Sequence, residues 1–116
     1  MATETAGIKA WESTHRFARI SPTKVRHIAD LIRWKPVEEA LDTLKFLPNR
    51  GARFLEKVLM SAVANAEDQG SVDAARLTVV ECMVNEGPRL KRIRPRARGT
   101  AFPIIKRMAH IHVVVA

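Results

Sequence analysis

The sequence predicts an α+β fold: three helices packed on a small antiparallel three-stranded sheet, with the last two strands extended into a long basic β-hairpin. Three observations predict it. Apolar residues recur at helical spacing through the middle of the chain, and β-branched runs lie toward both ends. Between the last two of those runs, residues 88–107 read PRLKRIRPRARGTAFPIIKR, with eight Lys or Arg, three prolines and no acid. A chain of 116 residues suits one domain with one modest core. We expect a globular body of about 1–84 and 109–116 and an arm of about 85–108.

The elements follow in order. Residues 8–19, IKAWESTHRFAR, carry the β-favouring Trp11, Thr14 and Phe17 and predict an opening strand. SPTKVRHIADLIR then begins a helix, with Ser21 as N-cap and Pro22 at the first helical position, where a missing N–H costs nothing. Val25, Ile28, Ala29 and Ile32 form its buried stripe. Pro36 opens a second helix, PVEEALDTLKFL, with Glu38 and Glu39 in the turn where the helix dipole favours anions. Val37, Ala40, Leu41 and Leu44 share its apolar side, and Pro48 ends it. The longest helix spans about Arg50 to Gln69, with Leu55, Leu59, Val63 and Ala66 beside Phe54, Val58 and Ala62; Gly70 and Ser71 mark its exit. ARLTVVECMVNEG and IIKRMAHIHVVVA are the closing strands, expected to pair antiparallel. In the second of them Ala109, Ile111, Val113 and Val115 alternate with Met108, His110, His112 and Val114, and the odd-numbered face is expected to turn toward the helices. Cys82, the single cysteine, sits in an apolar strand and reads as a buried thiol.

The net charge of +8 is segregated. Residues 1–35 hold seven basic and three acidic residues, 36–87 five and nine, and 88–116 eight and none, giving +4, −4 and +8. Such separation creates a directed field that attracts polyanions. In the arm, Arg89, Arg92, Arg94, Arg96 and Arg98 outnumber Lys91, and guanidinium groups suit forked bonds to phosphates and stacking on bases. Pro88, Pro95 and Pro103 remove ladder donors and suit edges, bends and tips. If the strands stayed paired over twelve residues each, the arm would project on the order of 30–40 Å. A second cluster, Arg16, Arg19, Lys24 and Arg26, surrounds the start of the first helix, where an acid would complement the dipole. A bound phosphate is the expected complement.

Other chemistry finds little support. Glu38 with Glu39 and Glu67 with Asp68 are neighbours that diverge on a helix, so no catalytic residues are assigned and no enzyme is expected. His110 and His112 share a strand face without a sequence-adjacent Cys, Asp or Glu to complete a metal site, and neither a metal nor a cofactor is expected. No apolar run approaches the roughly 18–20 residues of a membrane span, and the N-terminus lacks a targeting pattern, which points to the cytoplasm. Nothing suggests a homo-oligomer. A DNA-bending protein with proline-tipped β-arms is the alternative to an RNA-binding one, although such benders present two arms from a dimer.

Four blocks carry a resemblance: ARISPTKVRHIADLIR, KVLMSAVANAE, VNEGPRLKRIRPRARGTA and IIKRMAHIHVVV. Together, from about Arg16 to Val115, they resemble the family of bacterial-type large-subunit ribosomal protein number twenty-two. The resemblance implies a structural protein that binds ribosomal RNA, aids assembly of the large subunit, neighbours other ribosomal proteins and lines the nascent-peptide exit tunnel with its hairpin. By position it assigns RNA contacts to Arg16, Arg19, Lys24, Arg26, Lys91, Arg92, Arg96, Arg98, Lys106 and Arg107. It places the tunnel tip at Leu90, Lys91, Arg92, Ile93 and Arg94. Trp34 stands where the family usually has glycine, so a left-handed helix cap is not expected there. Asn85 replaces a usual aspartate and Thr100 a usual basic residue.

Overall fold

The computed structural model describes residues 2–5, 8–70 and 73–116. In chain order the strands are β1 (Ala2–Thr5), β2 (Ile8–Ala18), β3 (Val79–Glu86), β4 (Leu90–Pro95), β5 (Ala101–Lys106) and β6 (Ala109–Val115). The helices α1 (Pro22–Ile32), α2 (Val37–Phe46) and α3 (Arg50–Gly70) lie between β2 and β3. Short 3-10 turns occupy Ala74–Arg76 and Ala97–Gly99. The α+β architecture with three helices agrees with the sequence reading, and the helix bounds differ from it by a residue or so. Ser71, expected at the exit of α3, lies outside the described residues.

The helices form where their apolar stripes can be buried together. Val25, Ile28, Ala29 and Ile32 of α1 are all buried, as are Val37, Ala40 and Leu44 of α2 and Leu55, Val58, Leu59, Ala62, Val63 and Ala66 of α3. They pack against the odd-numbered residues of β6, since Ala109, Ile111, Val113 and Val115 are fully buried in the same core. The even-numbered His110 and His112 face the other side of the sheet and stay half-buried. Cys82 lies in this core, and burial pushes its thiol up to about 11, an effect that nearby Arg33 partly opposes. Arg33 also donates from Nε and Nη2 to the Cys82 carbonyl, at 3.0 and 2.7 Å, fastening α1 to β3.

The main sheet has four strands, in the order β1-β2-β6-β3 with every pairing antiparallel, where the sequence reading gave three. The added edge strand β1 pairs with β2 from Ala2↔Trp11 to Thr5↔Ile8. Its four residues, ATET, are too short and too polar to show the alternation that marks a strand. The hairpin differs as well. The β3/β6 ladder closes at Glu86↔Ala109, and β4 and β5 form a separate two-stranded sheet from Leu90↔Lys106 to Pro95↔Ala101. Pro88 sits in the gap and has no N–H to carry the ladder across. Six residues pair on each strand, which spans about 20 Å of ladder and not the twelve per strand assumed above.

One local expectation is met in position but without its side-chain bond, and another is revised. Ser21 is the N-cap of α1, but its hydroxyl makes no capping bond and lies 3.4 Å from the Thr23 hydroxyl. Trp34 adopts the left-handed conformation, with φ of 64°, although it is not glycine. That turn aims the Trp34 amide at the Val79 carbonyl, 2.8 Å away, while the Val79 amide donates to Lys35 O at 3.0 Å. Two backbone bonds to the start of β3 thus hold a conformation that a side chain disfavours by about 1–2 kcal/mol. The indole is 72% exposed and packs little in return. Trp34→Gly therefore raises stability by about 0.5–1 kcal/mol, after allowing for the entropy glycine loses on folding. A thermal melt that moved downward would show that the indole makes stabilising contacts.

Candidate nucleic-acid interface

The reversal of the hairpin sits at Arg96–Thr100, where the Arg96 amide donates to Thr100 O at 2.6 Å. Arg98 and Gly99 supply consecutive left-handed residues, with φ of 62° and 71°. This corrects the position of the tip along the chain, because Leu90, Lys91, Arg92, Ile93 and Arg94 form the outgoing leg, β4. Regular pairing against β5 continues through those five residues, and only beyond Pro95 does the backbone leave the extended region. All six residues of β4 are exposed, including Ile93 at 75%.

Register decides where the charges go. Opposite one another on one side of the ladder lie Leu90 with Lys106, Arg92 with Ile104 and Arg94 with Phe102. The root of that ladder meets the start of α1 and the start of α3 around a concavity of about 720 Å³. Its lining includes Arg19, Lys24, Arg50, Arg92, Lys106 and Arg107, together with Ser21, and contains no acid. Six cations from separate parts of the chain thus face one space. None of the six makes an ion pair among the described residues, and α1 has no acid in its first turn. Like charges held this close raise the local potential and favour an anion with several oxygens, since each guanidinium or ammonium retains donors to offer.

Arg50 was missed by the sequence reading. Its signal was the one used for Lys24, a basic residue in the first turn of a helix where an acid is usual. The guanidinium lies over the Phe54 ring, 5.4 Å from its centroid, which steadies the long side chain at the rim.

The other residues assigned from sequence do not all converge. Arg16 lines a second concavity on the sheet face away from the helices. Arg26 donates from Nε to the Val84 carbonyl at 3.1 Å and so braces α1 against β3. Arg89 pairs with Glu86 at 3.4 Å, and both side chains are about half exposed, so the pair contributes about 0–1 kcal/mol and yields readily to a phosphate. Arg96 lies over the Phe102 ring at 5.3 Å. Lys91, Arg94 and Arg98 extend along the exposed arm and its turn without ion pairs among the described residues.

His110 and His112 act as polar braces on the open sheet face. The Phe17 amide donates to His110 Nδ1 at 3.1 Å, and the Thr14 hydroxyl lies 2.7 Å from His112 Nδ1. His112 Nε2 also comes within 3.5 Å of the Glu12 carboxylate. Among the described residues no three His, Cys, Asp or Glu side chains are grouped to hold a metal ion. No helix there is long and apolar enough to cross a membrane.

Comparison with known proteins adds a family to this geometry. The "Large ribosomal subunit protein uL22" of Caldicellulosiruptor saccharolyticus is 56% identical over 108 residues, covering 93% of this chain and 88% of the relative. The protein of the same description from Streptococcus pyogenes serotype M6 is 50% identical over 111 residues, covering 96% and 97%. Residues 13–116 also match the sequence model of the family described as "Ribosomal protein L22p/L17e". That match runs from β2 to the end of the chain and takes in the basic concavity and both legs of the arm, and with it the chain belongs to the Ribosomal protein L22p/L17e family.

Proposed function

We propose that the protein is a structural component of the large ribosomal subunit, where it binds ribosomal RNA and contacts neighbouring ribosomal proteins in the cytoplasm. The observation that carries this reading is the acid-free concavity between α1, α3 and the root of the hairpin, in a chain of this family. Its six cations come from the approach to α1, the first turns of α1 and α3, and both legs of the arm, and so broad a lining suits successive phosphates of an RNA strand better than one small anion. The exposed arginines of the arm extend the same field, so the body and the arm are read as one interface, in a single domain with its body at about 1–84 and 109–116. RNA binding is assigned to Arg16, Arg19, Lys24, Arg26, Arg89, Lys91, Arg92, Arg94, Arg96, Arg98, Lys106 and Arg107, now joined by Arg50. Arg26 serves with only part of its guanidinium, since its Nε is held by Val84.

By clamping RNA segments at the root and along the arm, the protein supports subunit assembly. The arm lines the nascent-peptide tunnel through β4 and the turn beyond it, and the protein works as a single copy. Sucrose-gradient fractionation of a tagged chain tests the reading: it should co-sediment with large subunits at moderate salt. Migration with the nucleoid would overturn it. A chain lacking Leu90–Arg92 should keep its helical circular dichroism and its place in the subunit while changing the width of the nascent-peptide tunnel.

A further inference from the structure

We propose that the open face of the four-stranded sheet holds a binding site for one unpaired RNA nucleotide, built around Phe17. This rests on the RNA-binding reading and adds to it a place where a base, and not only the phosphate backbone, is recognised.

The site begins with a break in the β2/β6 ladder. Pairing shifts register between His15 and Ala18, and Phe17 within that bulge takes a left-handed φ of 59°. A β-bulge re-aims a side chain that would otherwise follow the pleat. Here it leaves the ring 56% exposed, although a phenylalanine in a strand is usually sheltered. His110 fixes the ring in place. Its Nδ1 accepts from the Phe17 amide, and the two rings meet edge-to-face at 5.1 Å and 86°. An edge-to-face neighbour steadies an aromatic ring without stacking over it, so area remains for a flat partner.

The surroundings offer the other contacts a nucleotide needs. Phe17 lines a concavity of about 490 Å³ with Thr14, Arg16, Met83, Asn85, His110 and His112. That volume falls in the range of about 300–1,000 Å³ typical of small-ligand sites. Asn85 can both donate to and accept from a base edge, and Met83 is an apolar neighbour on the same face. Arg16 is the one residue of the lining with a permanent charge, and it makes no ion pair among the described residues. A planar apolar surface, a two-way amide and an uncommitted guanidinium match the base face, base edge and phosphate of a nucleotide.

The site also continues the basic interface. Met108 lines the large concavity and His110, two residues along, lines this one, while Arg16 stands on β2 and Arg19 just beyond its end. An RNA strand leaving the phosphate cluster would therefore reach Phe17 without leaving the protein surface. A base paired within a duplex could not present its face to Phe17, so the occupant is a single-stranded nucleotide.

The test uses the full chain with two probes: a single-stranded RNA of about nine nucleotides carrying one 2-aminopurine, and a blunt RNA duplex of the same length. Phe17→Leu should weaken single-strand binding about 10-fold, leave duplex affinity within about twofold, and leave the salt dependence unchanged because no phosphate contact is lost. Phe17→Trp, which keeps a stacking face, should restore binding and 2-aminopurine quenching to near the starting level. Melting temperatures report whether each variant is folded. Unchanged single-strand affinity in Phe17→Leu, equal losses for both RNAs, or failure of Phe17→Trp to restore binding would overturn the site, and a protein segment would then be the better occupant. If the unaltered chain bound neither RNA with a salt-dependent affinity, the RNA-binding reading itself would fall.

Discussion

Replacing Arg19, Lys24 and Lys106 together with glutamine should lower the affinity for a large-subunit RNA fragment by about 100-fold at roughly 0.1 M salt. The three residues come from the approach to α1, its first turn and the end of β5, and they share one concavity. If each meets a phosphate, neutralising all three reduces the log–log salt slope by about 2–3, because each contact releases close to one condensed counterion. Glutamine keeps most of the side-chain length and its helical tolerance, so the loss reports charge and not packing. Lys45 and Lys57 lie outside the concavity, and the same replacement there should change affinity by less than about threefold. Filter binding over a salt series separates the cases. A slope that fell equally for both sets would mean that the protein binds through diffuse charge, with no focal site.

The second large effect concerns folding, and its sign opposes what local propensity suggests. Gly70 is the last residue of α3, where replacement by alanine would ordinarily strengthen a helix by about 1 kcal/mol. In the folded protein, however, a Cβ at this position would lie 2.2 Å from Trp11 Cζ2 and 2.9 Å from Cη2. The indole cannot easily withdraw, since Trp11 is 4% exposed and joined to the core. Overpacking of this kind costs about 1–3 kcal/mol, and with a rigid ring as the obstacle the upper part of that range applies. Gly70→Ala should therefore lower the melting temperature by roughly 10 °C. Combining it with Trp11→Leu should cost less than the sum of the single changes, since the smaller side chain removes the obstacle. A melting temperature raised by Gly70→Ala would show that α3 and β2 are not held this close.

Local pattern makes much of this protein legible in its sequence. The stripe of Val25, Ile28, Ala29 and Ile32 and the alternation from Ala109 to Val115 are consequences of 3.6-residue and two-residue periods, which depend only on neighbours in the chain. Burial of Cys82 followed from its apolar strand, and the basic character of the arm from the absence of any acid after Glu86. Motif spacing carried the family as well. Features that depend on an energetic compromise were harder to read. Trp34 and Phe17 take left-handed conformations that their residue types argue against, because hydrogen bonds to Val79 and His110 hold them there. The edge strand β1 gave too little periodicity to recognise, and the interruption of the ladder at Pro88 was hidden by strands that looked continuous.

Periodicity and composition were enough to place the three helices and the β2, β3 and β6 strands, the faces they bury, and the unbalanced charge in the arm and near α1. The meeting of Arg19, Lys24 and Arg50 with Arg92, Lys106 and Arg107, and the turn of Arg26 to the Val84 carbonyl, come from the packing of distant segments. Periodicity is a property of a single segment. Convergence depends on strand register and on how α1 and α3 are seated against the root of the hairpin, so residues more than eighty positions apart become neighbours only when the core closes.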